Sequence, residues 1–133
     1  AGVDHSPEAV ETTRRLNRRA IASGRLRVLE GSVDHLPFRD GFFDVVTAFE
    51  TTYFWPDLQA GLIEIRRVLS PGGRLVITNE VADREAAGHW AQRLSMNVPD
   101  GRSLAALAHE AGFLTADISL HPRHGWLRLV TTR

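Results

Sequence analysis

The sequence contains no cysteine and no lysine, and each absence removes whole classes of chemistry. Without cysteine there is no disulfide framework, no thiol nucleophile, no iron–sulfur cluster and no thiolate zinc site. Without lysine there is no phosphate-binding P-loop, no Schiff-base amine and no Tyr-x-x-x-Lys pair of the kind short-chain dehydrogenases use. An excess of one charge is missing too, since sixteen arginines stand against sixteen acids for a formal net charge of zero. Such a chain lacks the cationic surplus of a nucleic-acid binder and the polybasic patch of a membrane-surface protein, so neither partner is expected. No apolar run approaches the roughly 20 residues of a spanning helix. The opening AGVDHSPE has neither the basic start nor the apolar stretch of a signal peptide, which makes the cytoplasm the expected compartment.

What is present is the composition of a folded globular chain, 43% hydrophobic and 24% charged over 133 residues, and a single domain over 1–133 is expected. Short apolar runs alternate with helical patterns, the order that produces a mostly parallel α/β sheet. Strands are expected at 1–4, 27–30, 43–49, 74–78, 116–120 and 126–132. The run FDVVTAF at 43–49 is apolar at nearly every position and reads as a buried central strand. Ser6 and Pro7 open a helix expected to run to about Ala22. Leu58, Leu62, Ile65 and Leu69 share one helical face, which Ser70-Pro71-Gly72-Gly73 ends. Further helices are expected at 83–96 and, capped by Ser103, up to Gly112; the last two strands form an antiparallel hairpin around His121-Pro122-Arg123-His124-Gly125.

Open parallel sheets bind ligands beyond the carboxyl ends of their strands, which singles out Asp4, residues 31–34 and residues 49–53. An acid in the position of Asp4 accepts hydrogen bonds from ribose hydroxyls, or else makes an Asx-type bond to the backbone entering the Ser6 helix. Glu50 ends a buried strand, where a carboxylate needs a purpose; the nearby Phe49, Phe54 and Trp55 serve either as a pocket wall or as packing under the next helix. The two histidines of the hairpin turn have no carboxylate or thiol close by to complete a metal site, so no metal is expected.

The segments GVDHSPE, GSVDHLPFRDGFFDVV and RRVLSPGGRLVI, in this order, resemble the class I S-adenosylmethionine-dependent methyltransferases of the small-molecule "type 11" group. That resemblance implies a Rossmann-like, mostly parallel sheet with a C-terminal antiparallel hairpin. It implies S-adenosylmethionine as cofactor and a small-molecule methyl acceptor. Asp4, with His5 beside it, then holds the cofactor's ribose, while Ser32 and Val33 lie against adenine. The family's usual aspartate is a serine at position 32, and Asp34 is the nearest carboxylate to replace it. Phe49 and Glu50 floor the methionine and sulfonium pocket, and Glu50 or Tyr53 removes a proton from the acceptor.

The family's first strand and glycine-rich loop have no counterpart ahead of Asp4. The sheet is therefore expected to be incomplete at a central position and to close the gap by new pairing or to dimerise, a homodimer completing the sheet. Two other functions stay open: a non-catalytic, dimeric fragment that no longer binds cofactor, and a nicotinamide-dependent oxidoreductase in which Asp4 serves the ribose. Residues 81–102, with Trp90, Leu94 and Met96, are the candidate acceptor-side segment, although helix packing accounts for the same residues.

Overall fold

A computed structural model describes residues 1–89, 93 and 96–133. Strand β1 (Gly2–Asp4) leads into helix α1 (Pro7–Leu16), whose start is fixed by the Ser6 hydroxyl accepting from Ala9 N–H and by proline in the first turn. The helical pattern does not run unbroken to Ala22. It breaks at Asn17, whose side-chain amide donates to the Thr13 carbonyl and ends α1, and a second short helix α2 (Arg18–Ala22) follows.

Strand β2 (Val28–Glu30) pairs in parallel with β1. Its Val28 carbonyl takes two hydrogen bonds from the Arg14 guanidinium, at 3.0 and 2.6 Å. A long cationic side chain thus caps a strand carbonyl at this edge.

The remaining strands form a separate four-stranded sheet in the order β3-β4-β6-β5. Strand β3 (Phe43–Phe49) runs parallel to β4 (Leu69–Asn79), while β6 (Leu127–Thr132) is antiparallel to both β4 and β5 (Thr115–Leu120). The predicted turn at 70–73 survives as a loop-out within β4, where the register jumps from Phe43↔Leu69 to Val45↔Arg74 and Gly72 adopts φ +77°.

Helix α3 (Leu58–Val68) is capped by Asp57, whose carboxylate accepts from Ala60 N–H. A short helix α4 (Arg84–Ala87) follows β4, and the rest of the helix expected over 83–96 falls largely outside the described residues. Helix α5 (Gly101–Glu110) starts earlier than expected because Asp100, not Ser103, is its cap: the carboxylate accepts from Ser103 N–H at 2.7 Å.

Helices α3 and α5 cover one face of the four-stranded sheet, where Leu62, Ile65, Leu75, Ile77, Leu104 and Leu129 are fully or almost fully buried. The other face remains open. Strand β3, expected as a buried central strand, is an edge strand with Val45 55% and Phe49 59% exposed. Its alternate residues point to a face that α1 does not cover, since α1 packs on β1 and β2. Nor is the gap closed by new pairing, because β1 and β3 lie in separate sheets.

Thr131, fully buried on β6, has a hydroxyl without a hydrogen-bond partner among the described residues. Thr131→Val keeps the shape and removes the orphan, and is expected to raise stability by about 1–2 kcal/mol in a urea titration.

Candidate functional site

The chain leaves β3 through Glu50, which sits at φ +54°, the only non-glycine residue with positive φ among those described. This turn brings residues 50–53 over the end of β4, and three sets of bonds hold them there. Glu50 N–H donates to the Thr78 carbonyl at 3.0 Å, while the Glu50 Oε1 accepts from Glu80 N–H at 2.7 Å. Thr52 and Asn79, both fully buried, bond side chain to side chain at 2.9 and 3.1 Å. The Tyr53 hydroxyl accepts from Val81 N–H at 2.9 Å and donates to the Val81 carbonyl at 3.2 Å.

These contacts separate the two candidate proton acceptors. Partial burial pushes the Glu50 carboxyl above the usual 4.5, against the pull of the Glu80 N–H, and the Glu80 carboxylate adds to the upward push. Burial also pushes the Tyr53 hydroxyl up to about 12, so it keeps its proton at neutral pH. Tyr53 is only 4% exposed, and it packs with Ala87, Val98, Val81 and Met96. Of the predicted acceptor-side residues, Met96 therefore belongs to the cluster around Tyr53, whereas Trp90 and Leu94 lie outside the described residues.

A groove of about 750 Å³ runs between the two sheets and brings together Asp4, His5, Ser32, Val33, Phe49 and Glu50, with Phe54 and Trp55 at the same end. Tyr53 and Asp34 do not line it. One Asp4 oxygen makes the Asx-type bond to Ser6 N–H at 2.9 Å, and the same oxygen lies 3.7 Å from His5 Nδ1. Asp4 Oδ2 has no partner among the described residues, so the carboxylate serves the local turn and still offers an oxygen to a ligand. Trp55 rests on α3 only because residue 61 is glycine: a Cβ there would meet the indole Cε3 at 2.9 Å. Sequence reasoning missed Gly61, Asn79 and Glu80. A glycine inside an otherwise regular helix was the signal available for the first.

The segment bearing Ser32 and Val33 is held from α3. Leu36 N–H donates to Glu64 Oε1 at 2.8 Å, and the Arg67 guanidinium grips the same carboxylate at 2.7 and 2.8 Å while also binding Asp40. Arg67 holds the Glu64 carboxyl below its usual 4.5. A group whose pKa is depressed by folding stabilises fully above its unfolded value and loses that contribution as pH falls through the folded one. Glu64→Gln is expected to lower stability by about 1.5 kcal/mol at pH 7, the low end for a hydrogen bond to a charged group. The gap to wild type should shrink as pH falls below 4.5, read from urea midpoints at several pH values.

At the hairpin turn the rings of His121 and His124 stack at 4.8 Å, and His124 stacks on Trp126 at 4.9 Å. No cluster of three or more His, Asp or Glu able to hold a metal occurs among the described residues. No helix of the described residues is long and apolar enough to cross a membrane.

The residues at the groove suit the ribose and adenine end of S-adenosylmethionine: a carboxylate with a free oxygen at one strand end, a loop at the next, and aromatic side chains beyond β3. The methyltransferase domain family matches residues 1–77. An uncharacterised 37.1 kDa protein in a Streptomyces fradiae transposon is 35% identical over 124 residues, covering 84% of this chain and 35% of that protein. A demethylmenaquinone methyltransferase of Lactococcus lactis is 27% identical over 146 residues, covering 90% of this chain and 58% of that enzyme. The chain thus spans between about a third and three-fifths of the length of these two relatives. A Haloferax volcanii protein solved in complex with the Trm112 methyltransferase activator superposes with a TM-score of 0.83 at 23% identity, covering 98% of this chain and 70% of that one, and so shares its fold. With its family match over more than half its length and its Rossmann-like sheet ending in an antiparallel hairpin, the chain belongs to the class I S-adenosylmethionine-dependent methyltransferases.

Proposed function

We propose that this chain forms the cofactor-facing part of an enzyme that methylates a small-molecule acceptor, in the cytoplasm and as a homodimer, with residues 1–133 acting as one domain. The observation that carries this reading is the groove that gathers Asp4, Ser32, Val33, Phe49 and Glu50 at the carboxyl ends of the strands. The Lactococcus relative, named for a small-molecule acceptor, supports the acceptor class.

When bound, S-adenosylmethionine supplies an electrophilic methyl group on a sulfonium. Asp4 would accept hydrogen bonds from ribose hydroxyls, with His5 alongside, and the Ser32–Val33 backbone and Ser32 hydroxyl would face adenine, while Asp34, the carboxylate next in sequence, lies outside the groove lining. Phe49, Phe54 and Trp55 present aromatic faces that exclude water and favour a cation. Glu50 accepts the proton released by the acceptor. Tyr53, which keeps its own proton, sits beside Glu50 and positions it.

Calorimetric titration with S-adenosylmethionine and S-adenosylhomocysteine tests the cofactor site. Wild type is expected to bind, and Asp4→Ala to bind about ten- to a hundredfold more weakly, the result of losing hydrogen bonds to a carboxylate. Absence of wild-type binding up to millimolar ligand would favour the second reading, a non-catalytic dimeric fragment. The open slot between β1 and β3 is the feature that supports that alternative.

A further inference from the structure

We infer that the second copy docks on the free edge of β5, in antiparallel pairing about a twofold axis through Ile118; this rests on the homodimer reading above. The described strands offer few places for another chain. The β2 edge carbonyl of Val28 is capped by Arg14. The slot between β1 and β3 has two facing edges, so a strand entering it must have both of its own edges free. Every described strand already pairs along at least one edge, so a folded second copy offers none of these to insert.

The edge of β5 is different. His121 N–H donates to the Trp126 carbonyl, which sets the phase of the β5–β6 ladder and turns the N–H and C=O groups of residues 115, 117, 119 and 121 toward β6. The backbone groups of Ala116, Ile118 and Leu120 then point outward. This edge carries no proline and no cationic side chain, and its apolar side chains are exposed, Ile118 by 36% and Leu120 by 58%. Those are the features that edge strands normally avoid.

Side-chain charge selects both the partner and the register. Pairing Ile118 with its own copy opposes Ala116 to Leu120 of the second copy, which uses all three outward residues, and sets Asp117 opposite Ser119 of the second copy. Arg128 lies across from Ser119 in the same sheet and donates to its hydroxyl from Nε at 3.2 Å. Its guanidinium therefore lies over the position that Asp117 of the second copy would face. Among the described residues, Asp117 has no ion-pair or hydrogen-bond partner for its carboxylate. The twofold axis makes each such contact twice, which satisfies the self-complementarity of an isologous interface.

Light scattering across a concentration series, with amide hydrogen exchange, tests the inference. Wild type is expected at twice the 14.8 kDa of one chain, with exchange at Ala116, Ile118 and Leu120 slowing as concentration rises. Asp117→Arg and Arg128→Asp should each raise the dimer dissociation constant by about tenfold or more, because each opposes like charges, and the double variant should restore it. Circular dichroism verifies that each variant is folded. A wild-type monomer at all concentrations overturns both this interface and the homodimer reading. A dimer indifferent to all three variants, with no added protection on β5, overturns the interface alone.

Discussion

Glutamine in place of Glu50 is expected to slow methyl transfer by roughly 10²–10⁴-fold, the range over which a positioned general base contributes. Affinity for S-adenosylmethionine should change by less than about threefold, well under 1 kcal/mol. The glutamine Oε1 can still accept from Glu80 N–H, so the loop over β4 keeps its shape. Stability should move the other way from activity. The Glu50 pKa is raised on folding, so the charged carboxylate opposes the folded state once pH exceeds the unfolded value of 4.5. Glu50→Gln is therefore expected to melt slightly higher than wild type at neutral pH, with the difference closing in acid. In the same framework, wild-type turnover falls as pH drops through a value above 4.5. Initial rates with radiolabelled methyl donor on phenol, amine and active-methylene acceptors, together with thermal melts, check these expectations. Undiminished turnover in the variant would remove Glu50 from the proton-accepting role.

Leu62→Ala is expected to destabilise the fold by roughly 2–5 kcal/mol, in the upper part of that range. Leu62 is fully buried on α3 amid Ile65, Leu75, Ile77, Leu104 and Leu129, side chains from the helices and strands that meet at the core. Such a site relaxes only partially around a cavity, so both the transfer and the cavity contributions are felt. Against a typical total of about 5–15 kcal/mol, such a loss is a large fraction of stability. The melting temperature should fall by about 10 °C or more. Leu16→Ala provides the contrast, because Leu16 is 75% exposed at the end of α1 and its loss should stay within about 0.5 kcal/mol. Equal losses at the two positions would contradict the placement of the core.

Much of the candidate site was legible because its residues follow strand ends, and strand ends are marked locally. The apolar run 43–49 stops at a carboxylate, and GVD stops at another, so Glu50 and Asp4 stand out before any coordinates are known. Tyr53 illustrates what local pattern leaves open. The family resemblance implies a place near the acceptor side, but its environment is made by Val81, Ala87, Met96 and Val98, residues 28 to 45 positions away. Only once these pack against it does its hydroxyl become a buried bond to Val81 rather than a free proton acceptor. Asn79 was illegible for the same reason, and Gly61, visible as a glycine inside a helix pattern, did not reveal what rests on it. A buried Thr52–Asn79 pair and an indole resting on a helix glycine are contacts between separate elements.

The sequence by itself determined the order of strands and helices, the shared apolar face of α3, the capping of α1 and the family resemblance, all of which depend on neighbours within a few residues. Tertiary structure alone decided which faces and edges are filled. A seven-residue apolar run carries the same signal whether its strand is central or at an edge, and β3 became an edge because, among the described residues, no strand pairs on its far side and no helix covers its second face. The same holds for the two outer edges of the fold. Arg14 closes β2 by reaching a carbonyl fourteen residues away, while β5 remains open. Long-range hydrogen bonds and packing decide such differences, and no local periodicity encodes them.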